Sequence, residues 1–237
     1  MKRWLAYCAI VLGLFGSGVV VGRYDLPPIV ALRALKTTLF AQAKPDLRKY
    51  RSPHYLWRRA MFEVLPGRAD IIMLGDSITE HGVWQELFPT VSILNRGIGL
   101  DTSDGVLDRL DEITRRQPKI VFLMIGVNDL FLGISPQIVE QNIQSIVSAL
   151  LRGGIKPIVQ STLFVADNPE LNAKIQKLDD ALRQWCANSG TTYIDLNPVL
   201  APERKLLQRY TWDGTHLNGD AYLQWRDVIA PHATHGS

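Results

Sequence analysis

Cysteine is scarce in this chain, with two in 237 residues, Cys8 and Cys186. They stand far apart and Cys8 lies inside an apolar run, so neither a disulfide framework nor a CxxC metal site follows. Runs of one charge are also missing. The net charge of +3 is spread through the sequence in small clusters such as Arg58-Arg59 and Arg115-Arg116. Without five or six consecutive basic residues, nucleic acid is not the implied partner. The stretch "GIGLDT" lacks the third glycine of G-x-G-x-x-G, whose place is taken by Thr102, which argues against a dinucleotide loop. Asp101 and Asp104 have no histidine or carboxylate set at metal-ligand spacing beside them. Helix capping accounts for them better than a cation, and no metal or other cofactor is expected.

What is present is apolar: 46% of the residues are hydrophobic. A chain of this length buries one substantial α/β core, and one globular domain plus an appendage is expected. The appendage is residues 1–23. Lys2 and Arg3 precede an uncharged stretch from Trp4 to Gly22, which as a helix would be about 28 Å long, close to the thickness of a bilayer's hydrocarbon. A cleaved signal peptide, giving a secreted protein, is the rival. "GSGVVVGRY" offers only a poor A-x-A site, however, so the sequence favours an uncleaved transmembrane signal anchor. The positive-inside rule then leaves the rest of the chain extracytoplasmic, in the periplasm if the cell is Gram-negative. Residues 24–65 read as juxtamembrane lead-in helices, and residues 66–237 as the main domain.

From Ala69 onward short apolar runs alternate with longer segments of helical period. Strands are expected over 70–74, 91–94, 119–125, 157–161 and 192–194. Helices are expected over 102–116, 136–152, 170–189 and 218–229. Continuously apolar strands separated by helices indicate a parallel sheet covered on both faces, a three-layer α/β/α sandwich. Ligands in such sheets bind at the carboxyl ends of the strands, near the point where strand order reverses.

Unusual residues fall at those ends: Gly75-Asp76-Ser77, Asn95-Arg96-Gly97-Ile98-Gly99, Gly126-Val127-Asn128-Asp129 and Ser161-Thr162. Asp213-Gly214-Thr215-His216 follows the last strand. Together they supply the parts of an acyl-transfer site. Asp213 and His216 are three apart, so one turn brings the carboxylate beside the ring and leaves the other ring nitrogen free to face Ser77. The Asn128 amide, the Ser77 N–H and one N–H of the glycine-rich loop would serve an oxyanion. Ser77-Ile78-Thr79-Glu80 also reads as S-x-x-E, a capping box, and a serine at a strand-to-helix turn can be both cap and nucleophile. There is no G-x-S-x-G, so a nucleophile elbow of that kind is not the source of activation.

"GDSIT", "NRGIGLDT", "GVND" and "DGTHLN", in this order, resemble the sequence blocks of the SGNH hydrolases, also called GDSL esterases and lipases. The resemblance covers about residues 66 to 230. It implies a flavodoxin-like sheet of five parallel strands, Ser77 as nucleophile, Asp213 and His216 as the rest of a triad, and Asn128 as an oxyanion donor. One block departs from the pattern, because Leu100 stands where the family's oxyanion glycine is expected. Its backbone N–H can still serve, but a φ above zero would strain a leucine. Gly99 is the alternative donor.

Ester hydrolysis through an acyl-enzyme on Ser77 is therefore the expected function. A non-catalytic cell-envelope binding module on the same fold is the alternative. Asp76, Gly99, Phe131 and Phe164 are expected to contact a small-molecule, lipid or polysaccharide ester, and Leu130, Phe131, Leu132 and Phe164 hint at an apolar acyl group. His81 is expected on a helix surface, with the mouth of the site as a second placement, and His232 and His235 in a frayed tail.

Overall fold

The computed structural model describes residues 51–233. The expected membrane anchor over residues 1–23, most of the lead-in over 24–65, and His235 lie outside those residues. Among the described residues no helix is long and apolar enough to cross a membrane.

Five strands form one parallel sheet in the order β2-β1-β3-β4-β5. They are β1 (Ile71–Gly75), β2 (Ile93–Gly97), β3 (Ile120–Met124), β4 (Lys156–Gln160) and β5 (Thr192–Ile194). All five expected strands are found, and this is the order that the flavodoxin-like resemblance implies. Every residue of β1 is buried, as a strand covered on both faces requires.

Helix α1 (Pro53–Val64) precedes the sheet, while α2 (Ser77–Glu80) and α3 (Trp84–Leu87) join β1 to β2. Next come α4 (Ser103–Asp108) and α5 (Leu110–Thr114), then α6 (Val127–Phe131) and α7 (Pro136–Arg152). After β4 and β5 follow α8 (Pro169–Ser189), α9 (Asn197–Leu200), a 3₁₀ turn over Gln208–Tyr210, and α10 (Gly219–Ala233). The β1-to-β2 connection runs toward one edge and the later connections toward the other. Right-handed crossovers therefore send α2 and α3 to one face and α4, α7 and α8 to the opposite one. On the first face Trp84 of α3 meets Trp225 of α10 edge-on, with ring centroids 4.8 Å apart.

The long helices carry their own start and stop signals. The Ser135 side chain accepts the Ile138 amide before Pro136, and Asn168 accepts the Leu171 amide before Pro169. Helix α8 stops at Gly190, whose φ of +72° suits glycine. Three expectations need correction. Strand β2 runs three residues past Leu94, because Asn95 and Arg96 find polar partners. The Asn95 amide donates to the Thr79, Glu80 and Gly82 carbonyls, and the buried Arg96 pairs with Glu112 at 3.1 Å. The single helix expected over 102–116 breaks at Arg109, whose guanidinium turns inward. His232 lies in the last turn of α10, not in a frayed tail.

Helix α1 sets Tyr55 and Phe62 against Ile98 in a small separate core. Its opposite side exposes Leu56, Trp57, Met61 and Val64. The Tyr55 hydroxyl donates to the Gly105 carbonyl at 3.0 Å, tying α1 to α4.

Candidate active site

Ser77 follows β1 directly, and the two glycines at the strand ends explain its setting. A Cβ at Gly97 would lie 2.1 Å from the Glu80 nitrogen, and one at Gly75 2.2 Å from the Thr79 hydroxyl oxygen, so α2 sits closer to the sheet than any side chain allows. The cap of α2 is Asp76, whose carboxylate accepts the Ile78 amide at 3.0 Å. The capping-box expectation is thus corrected: Ser77 is the first helical residue, its hydroxyl is not used as a cap, and Glu80 turns elsewhere.

That hydroxyl lies 2.9 Å from His216 Nε2, and His216 Nδ1 lies 2.6 Å from Asp213 Oδ2. A carboxylate facing Nδ1 keeps the proton there, which leaves Nε2 as an acceptor for the serine. Asp213 Oδ1 also accepts the Thr215 and His216 amides, at 2.9 and 2.8 Å. Partial burial opposes its ionisation, but the bonds from the His216 ring and these two amides outweigh burial and hold the carboxyl well below the usual range. Asp213 therefore stays anionic beside the imidazole. The His81 ring stands 5.1 Å from that of His216, so His81 does border the mouth of the site.

The loop after β2 leaves one backbone amide unspent. The Ile98 amide bonds the Gly75 carbonyl, Gly99 the Glu80 carboxylate at 2.6 Å, Asp101 the Ile98 carbonyl, Thr102 the Asp101 carboxylate, and Ser103 that of Asp129. Among the described residues the Leu100 amide alone in this run has no acceptor. Gly99 is corrected as alternative donor, because Glu80 occupies its N–H. Leu100 adopts φ +63°, the strained conformation that its position made a concern, and its side chain is 65% exposed. The Asn128 side-chain amide donates one hydrogen to the Asp101 carbonyl at 2.9 Å, which fixes its plane and leaves the second hydrogen free.

Beneath these groups lies a buried polar layer. The Asp101 carboxylate pairs with Arg109 at 2.9 Å, and Arg109 also donates to the Gly75 carbonyl, so the loop after β2 is fastened to the end of β1. Asp76, expected to meet substrate, is only 1% exposed. Its place as the cap of α2 turns it into the interior, and burial, reinforced by the charges of Asp101 and Asp129 and opposed by the Ile78 amide, pushes it up to about 7. Burial likewise pushes Asp129 up to about 7 against the hydrogen bonds it receives from Ser103. Ser161 and Thr162, at the end of β4, are buried in structural bonds to Leu196 and Asp179.

A cleft of about 370 Å³ opens beside Asp213, bordered by Leu100, Asn128, Phe131, Val165 and Leu171. Phe131 is on its rim as expected. Phe164 is not, because it is 4% exposed and packs in the core, and Leu130 is buried there too. A larger hollow of about 500 Å³ shares Asp167 with this cleft and is bordered by Gln176, Arg204 and Lys205. Sequence reasoning passed over Glu80, Arg109, Val165 and Leu171. Val165 lies beside Phe164 in the segment over 162–170 and Leu171 directly follows that segment, which was a signal for both, whereas the partners of Glu80 and Arg109 are distant in sequence. Among the described residues no group of three or more histidine, cysteine or acidic side chains is arranged to hold a metal ion.

The model of the GDSL-like lipase/acylhydrolase family matches residues 73–223. The chain is 33% identical over 172 residues to human platelet-activating factor acetylhydrolase IB subunit alpha2, covering 68% of this chain and 66% of that protein. It is 28% identical over 154 residues to an N-acylneuraminate cytidylyltransferase of Streptococcus agalactiae serotype V; the match covers 65% of this chain but spans only 36% of that relative's length. In fold it is similar to the crystal structure of a GDSL-like lipase from Bacteroides thetaiotaomicron, with a TM-score of 0.68, 24% identity, and coverage of 76% of this chain and 96% of that one. With its serine, imidazole and carboxylate carried on such a sheet, the chain belongs to the GDSL-like lipase/acylhydrolase family, a family of carboxylic ester hydrolases.

Proposed function

We propose that this protein hydrolyses carboxylic esters through an acyl-enzyme on Ser77. The observation that carries the reading is the continuous hydrogen-bonded line from Ser77 Oγ through the His216 ring to Asp213, at 2.9 and 2.6 Å. Ser77 Oγ attacks the ester carbonyl carbon as its proton passes to His216 Nε2, and Asp213 balances the imidazolium. The carbonyl oxygen becomes an oxyanion and accepts from the Ser77 amide, the Leu100 amide and the free Asn128 Nδ2–H. As the tetrahedral intermediate collapses, the C–O bond to the alcohol breaks and His216 returns its proton to the leaving oxygen. Water then repeats the sequence on the acyl-serine, freeing the acid.

The acyl group that the cleft suits best is short and apolar, held between Leu100, Val165 and Leu171, with Phe131 on the rim. Acetyl, the group named for the human relative, is the smallest member of that class. We further propose that the run from Trp4 to Gly22 anchors the enzyme in a membrane with its catalytic domain extracytoplasmic, a reading supported by the charges around that run.

The test is Ser77→Ala. It should abolish turnover of p-nitrophenyl acetate and labelling by a fluorophosphonate, with thermal unfolding unchanged. Turnover retained in this variant defeats the triad reading, and failure of the wild type to label at any pH favours a non-catalytic binding module.

A further inference from the structure

We propose that Glu80 is a positioning residue that holds the Leu100 amide in line with Ser77, and that helix α1 completes this clamp. The inference rests on the proposed ester hydrolysis, and it deepens the part played by the loop after β2.

Glu80 is the last residue of α2, three positions from Ser77, and its side chain is largely covered. Its carboxylate reaches across to β2's loop and accepts the Gly99 amide at 2.6 Å, one residue before Leu100. Two side chains of α1 meet the same carboxylate, His54 Nε2 at hydrogen-bond distance, 3.0 Å, and Arg58 Nε as an ion pair without hydrogen-bond alignment, 2.9 Å. Leu100 needs such a restraint. A leucine at φ +63° is in a conformation that L-residues with a Cβ leave when free to do so, and its side chain, largely exposed, contributes little packing to keep it there. The restraints on the loop lie on either side of it: the Ile98 and Gly99 amides are bonded before it, and the Asp101 amide, carbonyl and carboxylate after it. Of these, the Gly99 bond alone ties the loop to α2, and it does so through a side chain. Its loss would free the peptide preceding Leu100 to rotate, and the N–H of that residue would turn away from the oxyanion. The same carboxylate joins the α2 that carries Ser77 to the loop that carries the second amide, so nucleophile and donor move as one piece.

An amide held before the reaction acts chiefly on the transition state, so the clamp should appear in kcat and not in KM. In the full chain with p-nitrophenyl acetate, Glu80→Ala is expected to lower kcat about tenfold or more with KM changed less than about twofold. Glu80→Gln, which keeps an acceptor oxygen, should lose less. Leu100→Gly added to Glu80→Ala should recover several-fold, because glycine takes φ +63° without strain. A kcat for Glu80→Ala and Glu80→Gln within about twofold of wild type overturns the proposal, as does a loss that Leu100→Gly leaves unrecovered. The Gly99 amide proton gives a readout that does not need turnover. Its resonance should lie downfield in the wild type and move upfield in Glu80→Gln and Glu80→Ala, and an unmoved signal also overturns the clamp. Failure of the ester-hydrolase reading is recognised separately, as a wild type that neither turns over the ester nor labels at Ser77.

Discussion

Ser77 Oγ and His216 Nε2 stand 2.9 Å apart although 139 residues separate them in the chain. The contact depends on Asp76 taking the cap of α2 in place of its neighbour, so the serine hydroxyl is not spent on a backbone amide. Two adjacent residues at one turn thus divide the structural and chemical tasks.

Replacing Asp213 by Asn keeps the shape of the turn but removes the anion that fixes the His216 tautomer. A fall in kcat of roughly 10³- to 10⁴-fold is expected with folding intact. Steady-state kinetics on p-nitrophenyl acetate, with circular dichroism as the control, tests this, and a loss below about tenfold would contradict the role given to Asp213.

Asn128→Ala removes a donor already oriented by the Asp101 carbonyl. The expected cost is roughly 10²- to 10³-fold in kcat with little change in KM. A rise in KM at constant kcat would instead make Asn128 a ground-state binding group.

Phe131 is 74% exposed at the cleft rim, so its truncation should not disturb the core. For Phe131→Ala, KM for p-nitrophenyl hexanoate should rise roughly two- to tenfold while the acetate is unaffected, since only the longer chain covers the ring. Equal effects on both esters would put the acyl chain elsewhere.

Stability should depend on pH through the buried layer. Asp76 and Asp129 titrate at about 7 in the folded chain, above the ~3.9 of an unfolded aspartate. Raised values favour the protonated native state, so their contribution is complete below about pH 4 and is lost as pH rises through about 7. Asp213 acts oppositely, its contribution being present above about pH 4 and lost as pH falls through its depressed folded value. The melting temperature should therefore decline between pH 5 and pH 8, and Asp76→Asn should flatten that decline. An identical slope in the variant would remove Asp76 as a source.

The sheet was legible because its central strands β1 and β3 are apolar throughout and its long helices begin with side-chain caps before proline, at Ser135-Pro136 and Asn168-Pro169. The hydrogen-bonded line from Ser77 through His216 to Asp213 was legible for a different reason: Asp213 and His216 are neighbours in sequence, and Ser77 follows an apolar strand. What escaped reading depends on partners distant in the chain. Asn95 and Arg96 look like loop residues until the α2 carbonyls and Glu112 are beside them. Arg109 looks like one residue of a surface helix, yet it breaks that helix to reach Asp101 and the Gly75 carbonyl. Glu80 fits a local capping box equally well, and nothing within α2 reveals that Gly99, nineteen residues later, is its partner. Phe164 illustrates the converse, a residue in an expected pocket loop that the core claims.

Asp213 and His216 are carried on the short turn between Tyr210 and Asn218, closed by a single antiparallel bridge from Thr211 to Leu217 and by the Asn218 amide on the Tyr210 carbonyl. Ser77 and Asn128, by contrast, are rooted at the ends of buried central strands. The two halves of the site therefore have unequal mechanical backing. Warming should detach the base from the nucleophile while the sheet is still intact, so this protein would fall silent several degrees before it melts, and would recover its activity on cooling.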